Sequence, residues 1–267
     1  MIDFFTQPFM VRGFAAAAVA GFTLPLLGVF LVPKKLSLLG DASSHVALAS
    51  LMVAVFAGIP TGVFIYVFPV AAVYFMLVMM TRFKISGDQA LVILLAMGAT
   101  ATSLAISFGA RVSLSSVLFG SILLVELYDI AAGLGLALFV GLFTVKNFNQ
   151  VVLFTVSDEL AQTKGFSTNL FTLFAAVATG LSIVVGVKIA GVLLVTALLA
   201  IPYTASSLIA TSLKKTILMS VAIGESSTIS GIFLSYFAGI SPGAASVLIV
   251  LGLLAFSLVL HSMKIRI

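Results

Sequence analysis

Between residues 10 and 262 this chain is a succession of apolar runs, most of them about 20 residues long, broken by short polar interruptions. A run of that length crosses the hydrocarbon of a bilayer as an α-helix, because only a helix satisfies its own backbone polar groups there. The runs at 10–32, 36–58, 61–81, 90–109, 130–146, 168–187, 190–210, 217–238 and 243–262 predict about nine transmembrane helices. The segment 112–125 (VSLSSVLFGSILLV) is apolar but short for a span. It reads as a re-entrant or half-helix, since irregular backbone at membrane depth has to be buried in protein. The expected fold class is therefore all-α and polytopic, a single membrane domain over residues 1–267.

Composition narrows the function classes. Hydrophobic residues make up 62% of the chain and charged residues 8%, against about 25% charged in soluble domains. That excludes a globular head on one anchor. The chain has no cysteine, hence no disulfide, thiolate metal site or cysteine nucleophile. It contains no Gly-x-x-x-x-Gly-Lys-Ser/Thr sequence, so energy from ATP has to come from a separate subunit. The N-terminus lacks a basic start and a small-residue cleavage site, which leaves membrane insertion to the internal segments. An intramembrane metalloenzyme would need a fuller ligand set, typically His-Glu-x-x-His, and two distant histidines do not supply it. No enzyme activity is expected.

The net charge of +5 carries topology, not nucleic-acid binding, because its cations are scattered. Alternating loops collect Lys34, Lys35, Arg82, Lys84, Lys146, Lys164, Lys214, Lys215, Lys264 and Arg266 on one side. The other side holds Arg12, Arg111 and Lys188. The richer side faces the cytoplasm by the positive-inside rule, which puts the C-terminus inside.

Asp41 and His45 are the acid–imidazole pair at helical spacing, within the apolar run LSLLGDASSHVALASLMVAVFAG. Four residues apart, they share a helix face. Measured from Leu36, His45 lies about 13 Å into its span, near mid-depth. Ionisable side chains at such depth cost about 2.5–3.5 kcal/mol on insertion scales. Carboxylate and imidazole are ligands for zinc, manganese or iron; the same pair also serves as a local polar tie between helices. Two side chains do not fill a coordination sphere, and Glu126, Asp129, Glu225, Tyr128 and Tyr236 are the candidate partners. Glu126 and Asp129, at the end of the short apolar segment, read first as a solvated helix end and second as a cation-attracting mouth. Glu225, in IGESSTISG, stands early in its predicted span from the cytoplasmic side and either bonds a neighbouring hydroxyl or lines a pathway. His261 belongs to a basic helix end, Pro202 predicts a kink, and Gly239 to Gly243 is turn chemistry.

The polar stretch FTVSDELAQTKG carries a short helix signature. Ser157 or Asp158 caps it, acids occupy its first turn and Gly165 ends it. A surface helix with no chemistry of its own is either a docking element or a connecting loop.

Several stretches together resemble bacterial ABC metal-ion permeases. GVFLVPKKLSLLGDASSHVAL is similar to their Gly-Asp-Ala…Ser-His segment, VSLSSVLFGSILLV to their Phe-Gly-Ser-Ile-Leu segment, and VSDELAQTKG to their cytoplasmic acidic–alanine–glycine stretch. VVGVKIAGVLLVTALLAIPYTAS and LSYFAGISPGAASVLI resemble their two C-terminal segments. The resemblance implies the membrane subunit of a zinc-, manganese- or iron-importing ABC transporter, with zinc first. It implies a bacterial inner-membrane homodimer with two cytoplasmic ATPases and an extracytoplasmic metal-binding protein. By position, Asp41 and His45 match the family's ion-route pair. Ser157, Asp158, Glu159, Ala161 and Gly165 match the helix that meets the ATPase. No cofactor is held permanently; the divalent metal is cargo. Ser43 stands where such proteins carry a bulky aliphatic residue, which predicts a more polar helix face. Glu225 has no counterpart. An ion-coupled secondary carrier is the alternative of another class, and it leaves the short cytoplasmic helix unexplained.

Overall fold

The computed structural model describes residues 8–58, 61–109, 127–166 and 168–265, whose regular structure is entirely helical. Helix α1 (Pro8–Leu31) closes in a 3-10 turn, Val32–Lys34, stopped by Lys35 in the left-handed region at φ 62°. It is followed by α2 (Leu39–Ala57), α3 (Thr61–Phe83), α4 (Gly87–Ser107) and α5 (Leu127–Lys146). Two short helices come next, α6 (Phe148–Val156) and α7 (Asp158–Thr163). The stretch Thr168–Ser207 is broken at Gly191, whose backbone is extended at φ 80°, ψ 164°. Its apolar arms are α8 (Phe171–Val187) and α9 (Gly191–Ser207). The last helices are α10 (Leu213–Ala238) and α11 (Pro242–Ile265). Among the described residues, 7 helices are long and apolar enough to cross a membrane, and α8 and α9 are shorter apolar ones. This agrees with about nine spans. Segment 112–125 and Glu126 lie outside the described residues.

Local chemistry sets the ends. Ser86 and Gln89 form a reciprocal capping box at α4, so that helix begins inside what reads as a polar loop. Ser212 accepts the Lys215 N–H at 3.4 Å and starts α10 before its apolar run. Gly58 and Gly239 end α2 and α10 in the left-handed conformation.

Helix α1 is the centre of the bundle, with 78% of its apolar window buried. Small residues let its neighbours approach. A Cβ on Gly28 would fall 1.9 Å from the Leu199 carbonyl oxygen of α9. A Cβ on Gly224 of α10 would meet the Gly21 carbonyl oxygen at 2.4 Å, so the two glycines are a reciprocal crossing point. Gly186 of α8 and Val195 of α9 touch although nine residues separate them in sequence. A straight helix would hold them about 13 Å apart, so α8 and α9 fold back on each other as a tight hairpin. The break therefore falls at Gly191, while Pro202 sits within α9, whose dihedrals stay helical. Helix α6 was also not expected. Its apolar residues Val151 and Phe154 are buried under the bundle, which gives a nine-residue segment too short to span a reason to fold.

Candidate functional site

Helix α2 carries the pair. Asp41 lies in its first turn, where the free N–H groups favour a carboxylate. One turn later His45 Nε2 stands 3.9 Å from Asp41 Oδ1, and the two side chains are 38% and 40% exposed. Zinc–nitrogen and zinc–oxygen bonds are about 2.0–2.2 Å. Tetrahedral ligands on one zinc stand about 3.4 Å apart, so a small side-chain rotation brings both atoms onto a single cation. The residues around the pair are turned inward, with Leu39, Ala42, Ser43, Ser44, Val46 and Ala47 buried.

Two close contacts fix this helix beside both members of the pair. A Cβ on Gly40 would lie 3.1 Å from the Thr196 Cα of α9. A Cβ on Gly98 of α4 would lie 2.8 Å from the Val46 nitrogen and 3.0 Å from the His45 Cβ. Gly98 is about 16 Å along the 21-residue α4. His45 is thus level with the middle of its neighbour, in accord with the mid-depth reading, although it lies early in its own helix. Neither Gly40 nor Gly98 is visible as a site residue from spacing alone. Both are glycines inside apolar helices, which is the one sequence signal for close approach.

The other candidates are dispersed. Among the described residues no three His, Cys, Asp or Glu side chains cluster as a metal site. Asp129 is 1% exposed, so it is not the solvated helix end expected. The Tyr66 hydroxyl of α3 reaches its Oδ1 at 3.5 Å, a residue missed because 63 positions separate the two. Glu225 lies about 18 Å into α10, beside Gly21, near mid-depth and not early in the span. Ser43 is fully buried and its Oγ has no hydrogen-bond partner among the described residues. It faces away from the pair and does not make that face more polar. His261 Nδ1 is 2.8 Å from the Leu208 carbonyl oxygen, a structural tie. Tyr128 and Tyr236 are both exposed.

The short helix is built as its sequence implies. Ser157 caps α7 by accepting the Leu160 N–H at 3.4 Å. Gly165 takes the left-handed conformation at φ 78°, and the Phe166 N–H returns to the Ala161 carbonyl at 3.1 Å, a Schellman closure. Ala161 is fully buried while Leu160 is exposed. The capped helix thus forms a short knob packed against α6 and α8.

Residues 6–261 match the ABC 3 transport family. The chain belongs to that family. It is a transport protein and not an enzyme, and the resemblance read from its sequence holds. The membrane protein of a high-affinity zinc uptake system, ZnuB of Buchnera aphidicola, is 31% identical over 88% of this chain and 92% of its own. The manganese import system permease protein ScaB of Streptococcus gordonii is 29% identical over 90% of this chain and 87% of its own. Among solved structures, PsaBC from Streptococcus pneumoniae in complex with Fab superposes with a TM-score of 0.81 at 25% identity, covering 96% of this chain and 93% of that one. This ABC 3 member shares the whole architecture, not an isolated motif.

Proposed function

We propose that this chain is the membrane permease of an ATP-driven importer that carries a divalent transition-metal cation, zinc first and manganese next, into a bacterial cytoplasm. The observation that carries the reading is the Asp41–His45 pair, half-exposed and close enough for one ion to bridge, on the helix held by Gly40 and Gly98. Asp41 supplies negative charge and His45 a borderline nitrogen, which together suit zinc; a site completed by water and carboxylate suits manganese. Relatives are named for each metal. A second copy facing the same route would contribute a second pair, giving a four-ligand station of the kind zinc favours. Two ligands per chain keep the station weak, and weak binding is what lets the ion leave. Glu126, Asp129 and Glu225 are kept as possible further stations on the route.

In this reading an extracytoplasmic binding protein delivers the ion outside. Paired ATPases grip α7 through Ser157, Asp158, Glu159, Ala161 and Gly165, and their closure exchanges the open side. The basic loops support a cytoplasmic C-terminus in an inner-membrane protein. A secondary carrier draws no support from the family match. The test is uptake of radioactive zinc and manganese by cells expressing Asp41→Ala or His45→Ala. Uptake is lost while the complex with its ATPase is still recovered. Normal accumulation in either variant would remove the pair from the route.

A further inference from the structure

A groove of about 480 Å³ runs between the α5–α6 junction and the start of α10. Its walls are Val145, Ile217 and Leu218, and its mouth holds Phe148, Asn149 and Lys214. Val145 is 78% exposed and Leu218 is 71% exposed, and both belong to helices long and apolar enough to span. Apolar side chains exposed on such helices, close to the ends that carry Lys146 and Lys214, suit contact with acyl chains just below the headgroups. The Lys214 ammonium sits 5.5 Å above the Phe148 ring, which holds the charge at the mouth. Lys146 follows Val145, Lys215 follows Lys214, and residues 130–157 and 160–224 contain no Asp or Glu. The groove is therefore apolar inward and uniformly cationic at the end carrying the basic loops.

We propose that this groove binds an anionic phospholipid of the cytoplasmic leaflet, with an acyl chain along Val145 and Leu218 and the phosphate on Lys214 and Lys146. Basic pockets between spans on the cytoplasmic side suit such headgroups. The paired apolar walls and cationic mouth match a lipid better than a soluble partner, which would use the lysines and leave Val145 and Leu218 uncovered. The binding is independent of which ion is transported.

The test uses the full chain in mild detergent, with thermal unfolding titrated by phosphatidylglycerol or by phosphatidylcholine of the same acyl chains. Phosphatidylglycerol stabilises the wild type at lower concentration. Lys146→Gln and Lys214→Gln each weaken that preference about fivefold, Lys214→Arg restores it, and Arg82→Gln, at another exposed basic position on the same side, leaves it intact. A photoreactive residue at position 218 captures lipid in bilayers. Equal stabilisation by the two lipids, an Arg82→Gln loss as large as that of Lys214→Gln, or capture of a second copy or another protein at position 218 would each overturn the assignment. Lys146→Gln and the comparison of the two lipids on the wild type stand even if Lys214→Gln fails to fold.

Discussion

At position 98 one methyl group decides where His45 can stand. With the Val46 nitrogen at 2.8 Å from a built Cβ, Gly98→Ala forces α2 and α4 apart through backbone, which has no rotamer to yield. Overpacking of this kind costs about 1–3 kcal/mol. The expected outcome is a several-fold rise in the KM of metal uptake, measured in reconstituted complex, with ATPase assembly unchanged. Gly28→Ala meets the Leu199 carbonyl oxygen and acts on stability instead, lowering the unfolding temperature without selecting the metal site. Ser43→Ala works the other way. Its buried hydroxyl has no partner among the described residues, so its removal is expected to stabilise the fold by about 1 kcal/mol and leave uptake intact. The acid–imidazole pair itself was legible because two ionisable groups four apart stand out in an apolar run. Asp129 was misread because its burial against Tyr66 depends on α3, which local spacing does not report.

Among the elements, α7 carries the proposed ATPase contact in 6 residues. It leans on its caps, since so short a helix does not sustain itself. Ser157→Ala removes the acceptor for the Leu160 N–H and costs about 1 kcal/mol. The measurement is ATP hydrolysed per ion imported, which rises as the grip loosens, while basal hydrolysis by the ATPase stays constant. The start and stop of α7 were readable, because Ser, acids and Gly at those offsets are capping chemistry. Helix α6 was not, because a nine-residue apolar segment gains its stability from Phe154 and Val151 packing on the bundle. The separate arms α8 and α9 were legible from the interruption at Lys188, but their antiparallel contact was not; it follows from Gly186 receiving Val195.

For the whole molecule, sidedness is the property most open to direct measurement. The natural chain has no cysteine, so single cysteines report without background. Lys84→Cys and Lys164→Cys are expected to react with a membrane-impermeant thiol reagent only from the cytoplasmic side, and Lys188→Cys only from outside. The reverse pattern would invert the charge-based orientation. The purified permease alone in liposomes is expected to import no metal, with uptake appearing when ATPase and binding protein are added; uptake by the permease alone would overturn the proposed ATP-driven mechanism. The α8–α9 hairpin then has a mechanical meaning. If ATPases grip the helix at 158–163 as proposed, motion imposed there would enter the near end of α8 and pass its closed turn. It would return down α9 to Thr196, which lies against the residue next to Asp41. Glycine contacts leave no compressible layer along that line, so a nudge from the nucleotide side arrives at the carboxylate with little of it absorbed.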